Sequence, residues 1–262
     1  MIQPEQKQPL SPWWRHAAII VMICGFSVLS FLTVLTYTNA PPIPESVTDA
    51  SGKVVTTRDE IERGQEVFFK YGLMEHGSLW GHGAYLGPDY TAEYLHRLAE
   101  INQDAVARAE YGKSFADLSE SEKHAAIAMS AAALKTNRYD AATKTLVFTP
   151  GEIESLEVQT AEWHTYFTKK DAAPGLPENY IKSPEETKVL ARYFAWASWA
   201  SVANRPGKDY SYTNNWPYEP LAGNHPSTST YVWSALSLLT LLGGLGLILF
   251  IFGKFDFLGW KG

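Results

Sequence analysis

The stretch GQEVFFKYGLMEHGSLWGHGAYLGPDY, residues 64–90, decides how the chain is read. Its first part continues a helical pattern over residues 58–71, with Ile61, Val67 and Phe68 on one side. The rest changes character. Residues 72–89 hold five glycines and one proline, so the spacing predicts a shaped loop rather than a regular element. Two histidines, His76 and His82, lie six residues apart within it. A loop can bend two histidines onto one metal. However, only Glu75 and Asp89 accompany them as carboxylates, and no cysteine does. Hydrogen-bonded loop histidines at an interface are the plainer reading.

Working outward, residues 91–111 read as an amphipathic helix. Ser119 followed by Glu122 is a capping box that opens an alanine-rich helix through Ala133. Residues 138–149 carry one hairpin, turning near 141–144. Thr149-Pro150-Gly151-Glu152 starts a helix to about Phe167, and Ser183-Pro184-Glu185-Glu186 starts another to about Val202. Residues 171–182 read as a loop between them. Residues 204–226 show no period but are rich in aromatics. They are expected to be ordered by packing, because Tyr212, Trp216 and Tyr218 carry too much apolar area to leave in water.

The two ends of the chain are different. Residues 17–37 and 231–252 contain no charged side chain, and each run is long enough to cross a hydrocarbon core as a helix. They divide the chain into 1–16, 17–37, 38–230, 231–252 and 253–262. The net charge is −6, of which the middle carries about −8 and the two flanks about +2. Lys7 and Arg15 precede the first span, and Lys254 and Lys261 follow the second. The positive-inside rule then puts both termini in the cytoplasm and residues 38–230 outside, in the periplasm or on the external face. Thr38-Asn39-Ala40 is only a weak cleavage-site pattern, and the apolar run is longer than a signal core, so an uncleaved anchor is expected. The acidic middle argues against nucleic-acid binding.

Chemistry is sparse. Cys24 is the single cysteine, lies in the first span and reads as a small apolar residue. His96, His124, His164 and His225 are scattered, and His16 sits at the membrane boundary. Neither span holds an internal histidine or carboxylate, the usual marks of intramembrane redox chemistry. No nucleophile elbow or phosphate-binding loop is present. The chain by itself does not read as an enzyme. Its nine Trp and fourteen Tyr serve either a core or a docking face.

Residues 64–90, together with Tyr210-Ser211-Tyr212-Thr213-Asn214-Asn215-Trp216-Pro217-Tyr218-Glu219-Pro220, resemble the N-terminal part of quinol-dependent nitric oxide reductases. The resemblance covers essentially the whole chain. In that family this region is similar to the cytochrome c subunit of two-subunit nitric oxide reductases, which carries C-x-x-C-H ahead of a Gly-x-Gly-Ala-Tyr segment. Aligned on Gly81-His82-Gly83-Ala84-Tyr85, the two cysteines fall on Leu73 and His76 and the haem-ligating histidine on Gly77. All three attachment residues are missing.

The resemblance therefore implies a mainly α fold: two transmembrane helices bracketing an outer, cytochrome c-like, mostly helical domain without haem. It also implies that Gly83 and Tyr85 contribute to a calcium ion shared with a partner chain. That partner would be a twelve-helix catalytic subunit carrying haem b, haem b3 and a non-haem iron, in the inner membrane, which reduces NO to N2O with electrons from quinol rather than from a soluble cytochrome. This chain would be the non-catalytic subunit that stabilises it. The catalytic region is expected on a separate polypeptide. A nitric oxide dismutase subunit fits the same resemblance. A two-span sensor or binding protein fits the topology alone.

Overall fold

The computed structural model describes residues 13–170 and 172–255. The chain divides into two units, residues 1–42 and 43–262.

The first unit contains α1 (Trp13–Thr38). Its residues Arg15–Thr38 are long and apolar enough to cross a membrane. The polar side chains near its end are absorbed by the helix itself. Thr33, Thr36 and Thr38 donate to the carbonyls of Leu29, Leu32 and Val34 at 2.8–2.9 Å. A hydroxyl satisfied in this way is cheap to place in hydrocarbon. Cys24 is exposed on this helix.

The second unit opens with a small sheet. β1 (Ser46–Thr48) pairs antiparallel with β2 (Val54–Thr57). Then follow α2 (Arg58–Lys70), a 3-10 turn at Leu73–Glu75, and the short strands β3 (Ser78–Leu79) and β4 (His82–Gly83). α3 (Tyr90–Tyr111) and α4 (Glu120–Lys135) lead to β5 (Tyr139–Asp140) and β6 (Thr145–Val147). α5 (Pro150–Thr168), α6 (Pro184–Val202) and α7 (Thr228–Phe255) complete the order. The protein is mostly helical, as expected, and α7 is the second helix able to span a membrane.

The helix starts follow their capping chemistry. Ser119 with Glu122 and Thr149 with Glu152 each form both hydrogen bonds of a capping box. Thr57 with Glu60 does the same for α2. Glu152 does more. It is 3% exposed, and its carboxylate accepts the Thr149 N–H and the Arg138 guanidinium. Arg138 also donates to the carbonyls of Ala133 and Val147. One buried ion pair thus ties the end of α4, strand β6 and the start of α5.

Two expectations about the strands and loops need correction. The hairpin at 139–147 is present, but it is half of a four-stranded sheet ordered β2-β1-β6-β5, with β1 parallel to β6. The loop at 72–89 is not free of regular structure, because it contains the 3-10 turn and the β3–β4 pair.

The core is aromatic. α2 crosses α6 at Gly64, where an added Cβ would meet the Val189 carbonyl oxygen at 2.1 Å. That close approach brings Phe68 against Tyr193 and Phe194. Tyr90 stacks on Phe194 with centroids 4.9 Å apart, and Trp163 meets Phe194 edge-on at 5.1 Å. Each such ring, fully buried, contributes about 1.5–3 kcal/mol. Between the two apolar helices, most of the tryptophans and tyrosines therefore lie in the core or pack against it.

The segment 204–226 is ordered by a polar network rather than by burying its rings. Lys135 at the end of α4 donates to Asn215 Oδ1 at 2.8 Å and Asn224 Oδ1 at 2.6 Å. Asn215 Nδ2 donates to the His225 carbonyl, and Asn224 Nδ2 to those of Ser201 and Pro217. Tyr212 packs on Trp199 as expected, but Trp216 stays 44% and Tyr218 60% exposed.

Candidate functional site

The loop between α2 and α3 is built around Asp89. Its Oδ1 accepts the Ala92 N–H at 2.9 Å and so caps α3. Its Oδ2 accepts the Ser78 hydroxyl at 2.8 Å and the Gly81 N–H at 2.7 Å. One carboxylate thus fixes both ends of the β3–β4 turn to the helix start. Trp80 sits in that turn at φ 52, a left-handed conformation rare for a bulky side chain. It is held there because its indole N–H donates to the Ala197 carbonyl at 2.9 Å and the ring packs on Trp196.

Below the turn the loop is filled. Leu73 is fully buried. Gly77 is also buried, and a Cβ added to it would lie 2.3 Å from the Pro88 carbonyl oxygen and 2.9 Å from the Tyr90 ring. His76 is 4% exposed, and its Nε2 is 3.0 Å from the Tyr166 hydroxyl. Burial pushes the His76 imidazole below its ordinary value and the Tyr166 phenol up to about 12. The three positions matched to a haem-attachment motif are therefore a core leucine, a buried neutral imidazole and a glycine without room for a side chain.

Above the turn the loop faces outward. Tyr85 is 90% exposed, and Leu86 beside it is also exposed. Gly83 lies at the exposed tip with φ 141, so both residues expected at a calcium ion are on one accessible turn. Two donors from this turn would fall well short of the six to eight oxygens that calcium takes. Among the described residues no group of three or more His, Cys, Asp or Glu could hold a metal. His82 is exposed while His76 is buried, so the two loop histidines have different environments.

The second distinctive stretch of the sequence comes to the same place. Gly81, at φ 78, lies against Trp216, whose indole nitrogen would be 3.0 Å from a Cβ there. The neighbouring Glu219 is fixed to α3 by His96 Nδ1 at 2.8 Å. Tyr85, Trp216 and Tyr218 are thus exposed aromatics on two adjoining segments. Sequence reasoning missed the Asp89 hub, although Pro88-Asp89 before a helical run is a readable cap, and missed the Gly81–Trp216 contact, which has no local signal.

The NorB cytochrome c-like family, which is the cytochrome c-like domain of a nitric oxide reductase, matches residues 44–218 of the chain. The chain belongs to this family. The match spans β1 through Tyr218 and contains both the Gly81–Tyr85 turn and Trp216. It makes residues 44–218 a cytochrome c-like domain related to nitric oxide reductase, flanked in the sequence by two helices able to span a membrane. No curated protein matches the chain. In this cytochrome c-like domain the crossing of α2 and α6 and the loop after α2 frame an interior occupied by Phe68, Tyr90, Trp163 and Phe194.

Proposed function

We propose that this chain is a membrane-anchored, haem-less accessory subunit of a quinol-dependent nitric oxide reductase. The observation that carries the reading is the contact between Gly81 and Trp216 in a domain of the nitric oxide reductase family. It joins the two distinctive sequence stretches into one exposed aromatic surface, and Trp and Tyr are favoured at interfaces. That surface docks on the outer face of the catalytic subunit, which holds haem b, haem b3 and the non-haem iron.

The chain itself carries no electrons. Covalent haem needs two thiols, and the single cysteine lies in α1. The tight packing at Leu73 and Gly77 supports the same conclusion. Electrons then reach the catalytic subunit from quinol in the membrane, without a soluble cytochrome. The Gly83 carbonyl and the Tyr85 hydroxyl supply two oxygens to a calcium ion completed by the partner. Both termini lie in the cytoplasm and the domain lies outside the inner membrane.

Purification of the tagged chain from its native membranes tests the proposal. The expected result is a complex with a second, haem b-bearing polypeptide, quinol-dependent NO consumption, and no haem stain on this chain after denaturation. Isolation of the chain alone, or a haem-stained band at its mass, overturns it.

A further inference from the structure

Between Asp209 and Lys254 the chain carries one charged side chain, Glu219. That carboxylate is turned inward, with its side chain 12% exposed. Its Oε2 is 2.8 Å from His96 Nδ1, and its Oε1 accepts the Leu221 N–H. The exposed part of residues 210–230 therefore presents no carboxylate, lysine or arginine. It is aromatic on the side that leads into α7. The Tyr218 and His225 rings meet with centroids 5.5 Å apart, and both residues are exposed. The link from this pair to α7 is short and tied at both ends. The His225 carbonyl accepts Asn215 Nδ2 at 3.0 Å, and Asn215 is itself buried. Two residues later the Ser227 hydroxyl accepts the Thr230 N–H and so caps α7.

Only Pro226 and Ser227 lie between His225 and the first residue of α7, a reach of at most about 10 Å. Another turn of helix, about 5 Å, brings the chain to Tyr231, where the charge-free run 231–252 begins. That run is about 33 Å long as a helix and matches a hydrocarbon core. His225 is thus within about 15 Å of the hydrocarbon edge, and the headgroup layer fills about 5–8 Å of that distance. Tyr and Trp are favoured at this level, because one end of each ring is apolar and the other is wet. Tyr231 and Trp233, exposed at the start of α7, are of the same kind. We propose that Tyr218 and His225 rest on the phospholipid headgroup layer and, with Tyr231 and Trp233, form an interfacial belt. The inference rests on α7 crossing the membrane. It gives the edge of the aromatic surface next to α7 to lipid and leaves Tyr85 and Trp216 to the partner. Contact at this edge restrains the tilt of the domain, because Lys135 of α4 holds Asn215 and Asn224.

The test is fluorine NMR of the full chain labelled with 3-fluorotyrosine, with one chain in each phosphatidylcholine nanodisc. Tyr218→Phe and Tyr231→Phe assign the two resonances. A nitroxide is then carried on the lipid headgroup in one sample and near the acyl-chain end in another. The headgroup nitroxide should broaden the Tyr218 resonance at least twofold more than the chain-end nitroxide does, and should broaden Tyr231 as well. Broadening of Tyr231 with Tyr218 unaffected would leave the Tyr218 ring to a protein partner and overturn the proposal. If neither resonance responds, α7 is not in the bilayer, and the membrane-anchor reading falls together with this one.

Discussion

Gly81 lies directly under the indole of Trp216, close enough that a single methyl group on the glycine would touch the ring nitrogen at 3.0 Å. The glycine is also left-handed, at φ 78. Any side chain there meets two obstacles, a strained backbone and an occupied space. Gly81→Ala should cost about 1–2 kcal/mol from the backbone conformation alone. Gly81→Val should in addition push Trp216 aside. Thermal melts measure the first effect, and Trp216 accessibility to a fluorescence quencher, read against a Trp216→Phe control, measures the second. An unperturbed Trp216 in Gly81→Val would show that the two segments are not mechanically joined.

Gly77 gives a sharper steric prediction. Its missing Cβ is 2.3 Å from a backbone oxygen, that of Pro88, which cannot swing away as a side-chain tip can. Gly77→Ala should destabilise the domain by about 3 kcal/mol, at the upper end of overpacking costs. Denaturant unfolding of the variant checks it. A histidine at this position, the residue that the resemblance aligns here, would require rebuilding the loop and the Tyr90 ring beside it.

Much of this architecture is legible in the sequence because helices announce themselves locally. Ser119 with Glu122 and Thr149 with Pro150 and Glu152 mark starts that the structure reproduces within a residue. The sheet is not legible in the same way. β1 has three residues and β2 four, too short for an alternation to register, and β1 pairs with β6 across most of the domain (Ser46 with Thr145). The exposure of Trp216 and Tyr218 is unreadable for a related reason. Their segment is pinned by Lys135, Asn215 and Asn224, and polar pinning leaves no apolar period behind. Gly83 and Tyr85 stand out through resemblance alone, and the fold sets both on an exposed turn.

The exposure of Tyr85 makes it separable from stability. Nothing in the fold leans on a side chain that is 90% exposed, so Tyr85→Phe should leave the melting temperature of the chain unchanged. In the proposed complex the lost hydroxyl removes one calcium oxygen. Elemental analysis of the purified complex after a limited chelator wash should then show less retained calcium than wild type. Equal calcium in both would reject Tyr85 as a ligand.

His76 sets an acid limb. Its imidazole is buried, so its folded pKa lies below the ordinary 6.5, and in that window the unfolded chain binds more protons. The His76 contribution to stability is therefore full above pH 6.5 and is lost as pH drops from there toward the folded pKa. The carboxylates whose pKa is lowered, such as Glu186 and Glu122, act only below about pH 4.5, while buried Glu152, raised above its ordinary 4.5 by burial, acts above that value with the opposite sign, so the comparison with a His76 variant isolates the imidazole. His76→Gln should flatten the curve between pH 6.5 and 5 in urea titrations. An unchanged slope would assign it to another group.

Lys135 works at the other end of the scale. Its ammonium is half-buried against two neutral asparagines, and burial brings its pKa down from 10.5 to about 8. Here too the unfolded chain binds more protons, between pH 8 and 10.5, so stability rises with pH across that window. The hydrogen bonds survive deprotonation, because a neutral amine keeps two N–H donors for the two Asn oxygens. The rise should stop near pH 10, where the buried phenols take over with the opposite sign. Tyr193 and Tyr166 are pushed up to about 12 in the fold, so above their ordinary 10 the unfolded chain loses protons first and stability falls. Wild-type protein should thus be most stable near pH 9–10. Lys135→Met should lose the rise but keep the fall. Its melting should also expose the 204–226 segment to proteolysis earlier than the helices, because Asn224 Oδ1 loses the Lys135 ammonium that ties it to α4. A variant with the wild-type pH profile would show that the Lys135 amine is solvated in the fold and does not set the rise.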